Sequence, residues 1–149
     1  MKIKDLHPSV KDCLKKYVMS LKVYYAGRGF DVKREEVFKV VSEKLKKIHI
    51  LSVAGNPEDR IILIQVATEK TYENGVKELR YHRVVYDRLK KKGSCTCEWF
   101  SKNRVCKHIL KVLLLHHHGG SFYRRKLSYP AYKGNRKSYT TTQIKTKVA

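Results

Sequence analysis

No aspartate or glutamate follows Glu98 in this 149-residue chain, so its final third carries charge of one sign only. From Trp99 to Ala149 there are twelve Lys or Arg residues and no acid. Over the whole chain 34 basic residues face 13 acidic ones, a formal charge of +21. A compact state so unbalanced repels itself unless a polyanion supplies the missing charge, which argues against a self-contained neutral or acidic enzyme and makes nucleic acid the leading partner. No apolar run approaches the roughly 20 residues of a membrane-spanning helix, so no membrane association is expected. The opening Met1-Lys2-Ile3-Lys4-Asp5 lacks the apolar stretch of a signal peptide. A cytoplasmic protein is the expectation, in a compartment where four cysteines are metal ligands or core thiols before they are disulfides. There is no internal repeat, no Gly-Lys-Ser/Thr phosphate loop, no paired-carboxylate motif and no Ser/His/Asp arrangement, so no enzymatic activity is expected. Only two glutamines accompany ten tyrosines and many Lys, Ile and Val residues, a composition that fits a heat-adapted source.

What is present reads as one α+β unit followed by an extension. His7-Pro8-Ser9 starts a helix whose apolar positions Val10, Leu14, Tyr17, Val18, Leu21 and Tyr25 recur at helical spacing until Gly27. Asp31 is the expected N-cap of a second helix, with Val37, Val40, Val41, Leu45 and Ile48 on its apolar face and Lys44, Lys46 and Lys47 at its end. Two β-branched runs, 47–53 and 61–68, flank a turn over 54–59, and Leu79, Tyr81, Val84, Val85 and Tyr86 suggest a third strand after Asn74-Gly75. The result is a small antiparallel β-meander behind N-terminal helices. A last helix, 105–118, stops at Gly119-Gly120.

The chemistry concentrates in Cys95-Thr96-Cys97, an eight-residue spacer and Cys106-Lys107-His108. Three thiols and one imidazole complete a tetrahedral set, and soft sulfur donors select zinc over magnesium or calcium. Residues two apart on an extended segment share a face, which puts Cys95 and Cys97 on one side. Cys106 and His108 sit where the chain enters the last helix, so the metal would pin that helix to the strand edge. The bland alternative, three ordinary buried cysteines, fits poorly with a polar Lys/Asn/Arg spacer. Four ligands leave no coordination position for water, so one structural Zn²⁺ is expected, and stripping it should melt residues 79–118.

This order resembles the SWIM zinc finger, and the likeness extends past the ligands. Cys95-Thr-Cys97-Glu-Trp-Phe is similar to the family's Cys-x-Cys followed by an aromatic residue, and Cys106-Lys-His108-Ile-Leu-Lys-Val-Leu-Leu to its closing segment and aliphatic helix. The resemblance implies a ββα zinc unit with Cys95, Cys97, Cys106 and His108 as ligands. The chain then divides into residues 1–78, holding the helices and first strands, a zinc unit over 79–118, and a basic, aromatic-containing extension over 119–149. SWIM modules occur in transposases, helicase-like ATPases, plant regulators and recombination accessory proteins, and are generally taken to bind DNA or protein. The large catalytic domain of many of those proteins is missing from this sequence, so the resemblance implies no catalytic role.

Basic residues cluster around this unit. Arg88, Lys90, Lys91 and Lys92 precede the ligands, while Lys102, Arg104 and Lys107 lie within the motif, and together they suggest a joined phosphate-binding surface. The extension adds Arg124, Arg125, Lys126, Lys133, Arg136 and Lys137, followed by Lys145 and Lys147, interleaved with Phe122, Tyr123, Tyr129, Tyr132 and Tyr139. It has too few aliphatic residues for a core and suits a strand that threads between phosphates while its rings stack on unpaired bases. Trp99 and Phe100 are expected to shield the zinc site, Cys13 to be a core or boundary thiol, and His116-His117-His118 to close the last helix and not bind metal. His7, His49 and His82 have no partner at a recognisable spacing. The function these features suggest is an RNA-binding structural protein, ribosomal or ribosome-associated, with rRNA and neighbouring ribosomal proteins as partners. A DNA-binding accessory role in recombination or transcription is the alternative.

Overall fold

The computed structural model describes residues 3–55 and 58–119. After a short 3-10 turn, helix α1 spans Pro8–Gly27 and α2 spans Arg34–Lys46. Strands β1 (Ile48–Ala54), β2 (Ile61–Thr71), β3 (Lys77–Asp87) and β4 (Lys92–Cys95) follow, then α3 (Glu98–Asn103) and α4 (Lys107–His118). The strands form one antiparallel sheet in the order β1-β2-β3-β4, with a bulge in β1 between Ile50 and Ser52. The α+β reading of the sequence holds, with two additions. Strand β4, Lys-Gly-Ser-Cys, is too short and too polar to show an alternating pattern. Helix α3 has six residues, fewer than two turns, and lies inside the spacer between the ligand pairs.

Local chemistry fixes the helix ends. Pro8 occupies the first turn of α1, where its missing N–H costs nothing, and His7 Nδ1 accepts a hydrogen bond from Ser9 N–H at 3.1 Å. The helix ends at the expected Gly27, and its cap is completed two residues later at Gly29. There φ is +86°, Gly29 N–H donates to Ala26 O and Phe30 N–H to Tyr25 O, the paired bonds of a Schellman motif. Helix α2 is capped by Lys33 and not Asp31, with no side-chain hydrogen bond. Glu35 and Glu36 in its first turn and Lys44 and Lys46 in its last complement the helix dipole instead.

The helices cover one face of the sheet. Ile48 and Ile50 of β1, Ile62, Ile64 and Val66 of β2, and Val84 and Tyr86 of β3 join one apolar cluster with Val10, Leu14 and Leu21 of α1, Val37 and Val41 of α2, and Leu110 and Val112 of α4. Val10, Val37, Ile64, Val66, Val84 and Leu110 are fully excluded from solvent, and each such aliphatic side chain contributes about 1.5–3 kcal/mol by burial. Cys97 and Cys106 belong to the same cluster, so the zinc ligands are embedded in the core that α1 and α2 help to build. At Gly93 of β4 an added Cβ would stand 3.1 Å from Ile109 Cγ2, which shows how closely this strand approaches α4. Cys13 is buried, and burial pushes its thiol up to about 12, as fits an unreactive core residue. Among the described residues no helix is long and apolar enough to cross a membrane.

Candidate metal centre

Three short elements deliver the four donors to one point. Cys95 ends β4, Cys97 caps α3, Cys106 caps α4 and His108 lies in its first turn. Cys97 Sγ accepts from Phe100 N–H at 3.4 Å, a position where a helix N-terminus favours a thiolate. The four ligand atoms all lie within 4.8 Å of one another. A tetrahedral zinc with bonds of about 2.3 Å to sulfur and 2.0–2.1 Å to nitrogen separates its donors by about 3.5–3.8 Å, and Cys95 Sγ stands 3.6 Å from His108 Nδ1. Geometry and donor chemistry both fit. Unliganded, the sulfurs cannot all ionise together. Hydrogen bonds from Cys106 and Cys95 hold Cys97 far below the ordinary thiol range, while Cys95 and Cys97 push Cys106 far above it. Ligation needs three thiolates, so protons leave on loading and affinity falls as pH falls.

The imidazole is oriented by a residue that the motif spacing did not reveal. His108 Nε2 lies 2.9 Å from Thr68 Oγ1, and both side chains are buried. With Nδ1 turned to the metal, Nε2 must carry the ring proton and donate it to the threonine oxygen. Burial lowers the pKa of His108, keeping the ring neutral as a ligand must be. His82 of β3 lies beside it, ring centroids 4.7 Å apart, and contacts Thr96 Oγ1 through Nδ1 at 3.4 Å. Its pKa falls to about 4 through burial and the neighbouring His108. Trp99 turns toward α1: its indole N–H donates to Ser20 Oγ at 3.0 Å and its ring meets Tyr17 and Tyr24 edge-on.

The remaining histidines have partners in space. His49 pairs with Glu69 across β1 and β2. His7 stacks on His117 at 3.7 Å, nearly parallel, and its backbone N–H donates to His118 Nε2 at 3.0 Å. The triple histidine thus ties the end of α4 to the start of α1.

The basic residues suggested as one surface fall at two ends of α4. Lys107 lies at the zinc end, whereas Arg88 and Lys91 act electrostatically on His116 and His117 at the other; the 12-residue helix between them is about 18 Å long at 1.5 Å per residue. In the β3–β4 turn Asp87 Oδ1 accepts from the backbone N–H groups of Leu89 and Lys90 and pairs with Arg60, so Lys90, Lys91 and Lys92 stand exposed on a braced turn. Arg88 is partly engaged, donating to Asp59 O. Lys102 and Arg104 are exposed at the end of α3, where Lys102 pairs with Glu98. Among the described residues the non-glycine positions with positive φ are both cations from this set, Lys91 at 55° and Arg104 at 60°. Arg124, Arg125, Lys126, Lys133, Arg136, Lys137, Tyr123, Tyr129 and Tyr132 lie outside the described residues.

Residues 81–117 match the SWIM zinc finger family, a segment running from β3 through α4 and containing all four ligands. This segment is a SWIM-type zinc finger that holds one structural zinc ion. Its order is ββαα here, because α3 fills the spacer. No curated protein and no solved structure matches the chain.

Proposed function

We propose that this chain is a zinc-stabilised RNA-binding structural protein of the ribosome or its associated factors, contacting rRNA through its basic body and C-terminal extension. The observation that carries this reading is the division of charge. Residues 1–120 hold 26 basic and all 13 acidic residues, whereas 121–149 hold eight basic residues and no acid. A folded body followed in sequence by a cationic, tyrosine-bearing segment suits irregular RNA, whose bases are splayed and whose phosphates surround the chain. A duplex-DNA reader presents Arg, Asn or Gln on a helix to base edges, and α4, with the sequence Lys-His-Ile-Leu-Lys-Val-Leu-Leu-Leu-His-His-His, has none of these. The zinc serves the fold and not a reaction, since four protein ligands leave no open position.

Binding of a labelled single-stranded RNA by the full zinc-loaded chain, measured across salt concentrations, tests this. With about eight tail charges on phosphates and a small share from the body, log affinity should fall against log salt with a slope of roughly −6 to −7. Deleting Ser121–Ala149 should flatten that slope while leaving the zinc content at one per chain. Preference for duplex DNA would move the function to the accessory role in recombination or transcription, and an unchanged slope in the truncation would refute the role of the tail.

A further inference from the structure

The hairpin loop between β3 and β4 is built without the residues that such loops ordinarily use. Asp87 and Lys92 face each other across the ladder, and Arg88-Leu89-Lys90-Lys91 joins them with no glycine, asparagine or proline. Lys91 nevertheless adopts a φ of 55°, the left-handed region where glycine or asparagine is the favourable choice. The loop is braced in this form. Asp87 Oδ1 accepts from Leu89 N–H at 3.0 Å and from Lys90 N–H at 3.1 Å, and its carboxylate pairs with Arg60. Arg88 ties the loop to the segment before β2: its backbone N–H donates to Arg60 O at 2.8 Å and its guanidinium to Asp59 O at 3.0 Å. Lys90, Lys91 and Lys92 are left exposed, and among the described residues none of them is paired with an acid. Leu89 stands among them, 72% exposed. A left-handed lysine, an exposed leucine and unneutralised cations are each unfavourable in the free chain, and a loop that fixes all three suits an anionic partner with apolar surface between its charges. The loop also lies where the described chain ends. Tyr86, just before it, meets His116 at 5.7 Å between ring centroids, and α4 stops at His118. The cationic segment 121–149 follows shortly after in sequence.

We propose that the β3–β4 loop is a preformed docking point for single-stranded RNA, in which Lys90, Lys91 and Lys92 contact backbone phosphates and Leu89 packs against a ribose or base. An unpaired strand offers both kinds of surface in alternation, phosphates for the ammonium groups and sugar or base faces for the leucine. Asp87 and Arg88 already order the loop backbone in the free chain, so little of its freedom remains to be lost on binding. This contact rests on the RNA reading above and fixes where on the folded body the strand lies, at the end from which the basic segment continues.

The test separates the brace from net charge. Asp87→Asn and Asp87→Ala each make the chain more positive by the same amount, but the asparagine carbonyl still accepts from the two loop amides and alanine cannot. The full zinc-loaded chain is titrated with fluorescein-labelled single-stranded RNA across salt concentrations, with zinc content measured in parallel. Asp87→Asn should bind at least as tightly as the unmodified chain, and Asp87→Ala about fivefold or more weakly than Asp87→Asn, the cost of ordering a loop that is no longer held. Lys90→Gln with Lys91→Asn should lose about 1.4 from the salt slope, two contacts at the single-strand coefficient. Lys15→Gln with Lys22→Gln, on the exposed side of α1, should leave the slope unchanged. Leu89→Ser should weaken binding without altering the slope, because an apolar contact releases no counter-ion. Equal affinities of the two Asp87 variants, or equal slope losses in the loop and α1 lysine pairs, would mean that only net charge acts and would overturn the loop while RNA binding stands. If Asp87→Ala loses zinc, the comparison of the lysine pairs decides. Failure of the unmodified chain to bind RNA would overturn the RNA reading and the loop together. Binding of phosphatidylglycerol vesicles that the same loop variants weaken equally would assign a lipid surface and overturn the RNA contact.

Discussion

His108 has a different task at each edge of its ring. Nδ1 faces the sulfurs, and Nε2 meets Thr68 Oγ1 inside the core. Partners of this kind fix the tautomer and orientation of a ligating imidazole, and losing one typically weakens metal affinity about 10–100-fold. Thr68→Val keeps the shape and removes only the acceptor, so it should weaken zinc by about tenfold or more in a chelator competition while the folded spectrum at saturating zinc stays unchanged. Unaltered affinity would mean that Thr68 does not orient the ligand. The four ligands were legible in the sequence because they fall within fourteen residues and two motif halves. Thr68 was not, because it lies 40 residues from His108 and only the register of β2 brings it there.

Among the elements, the junction of α1 and α4 combines capping with a titratable contact. His7 Nδ1 and His118 Nε2 both accept from backbone N–H groups, which a protonated nitrogen cannot do. Between them His117 stacks on His7, with its Nε2 buried and, among the described residues, without a hydrogen-bond partner. Burial, then His7, His116, His118 and Lys91 lower His117 from the ordinary 6.5 to about 4. The unfolded chain therefore takes up this proton first as pH falls. The stabilising contribution is complete above pH 6.5 and is lost progressively toward pH 4. His117→Phe keeps a stacked ring without the proton, so its stability should decline less than that of the unmodified chain between pH 7 and 5.5, measured by denaturant unfolding with zinc content monitored. Superimposable pH curves would contradict this. The long helices were legible because their apolar stripes repeat over several turns, as in Val10, Leu14, Tyr17, Val18 and Leu21. The four-residue β4 and six-residue α3 were not, since neither is long enough for periodicity to appear. Their positions are set by the ligands they carry and, for β4, by pairing with β3.

The molecule as a whole joins a zinc-embedded core to an excess of positive charge. Composition made that excess visible, whereas the places of the body's cations along α4 depend on the fold. Lys107 lies at the zinc end of α4, whereas Arg88 and Lys91 act on His116 and His117 at its other end. In the proposed role, a basic body followed in sequence by a basic segment would lie among several RNA segments, whose phosphates would supply the charge that the chain lacks. Sedimentation of the native protein from lysate through a gradient at moderate salt tests this most directly. Stoichiometric migration with one ribosomal subunit, lost on RNase treatment, is the predicted result. A free pool at the top of the gradient, or one that moves with genomic DNA and is released by DNase, would contradict it.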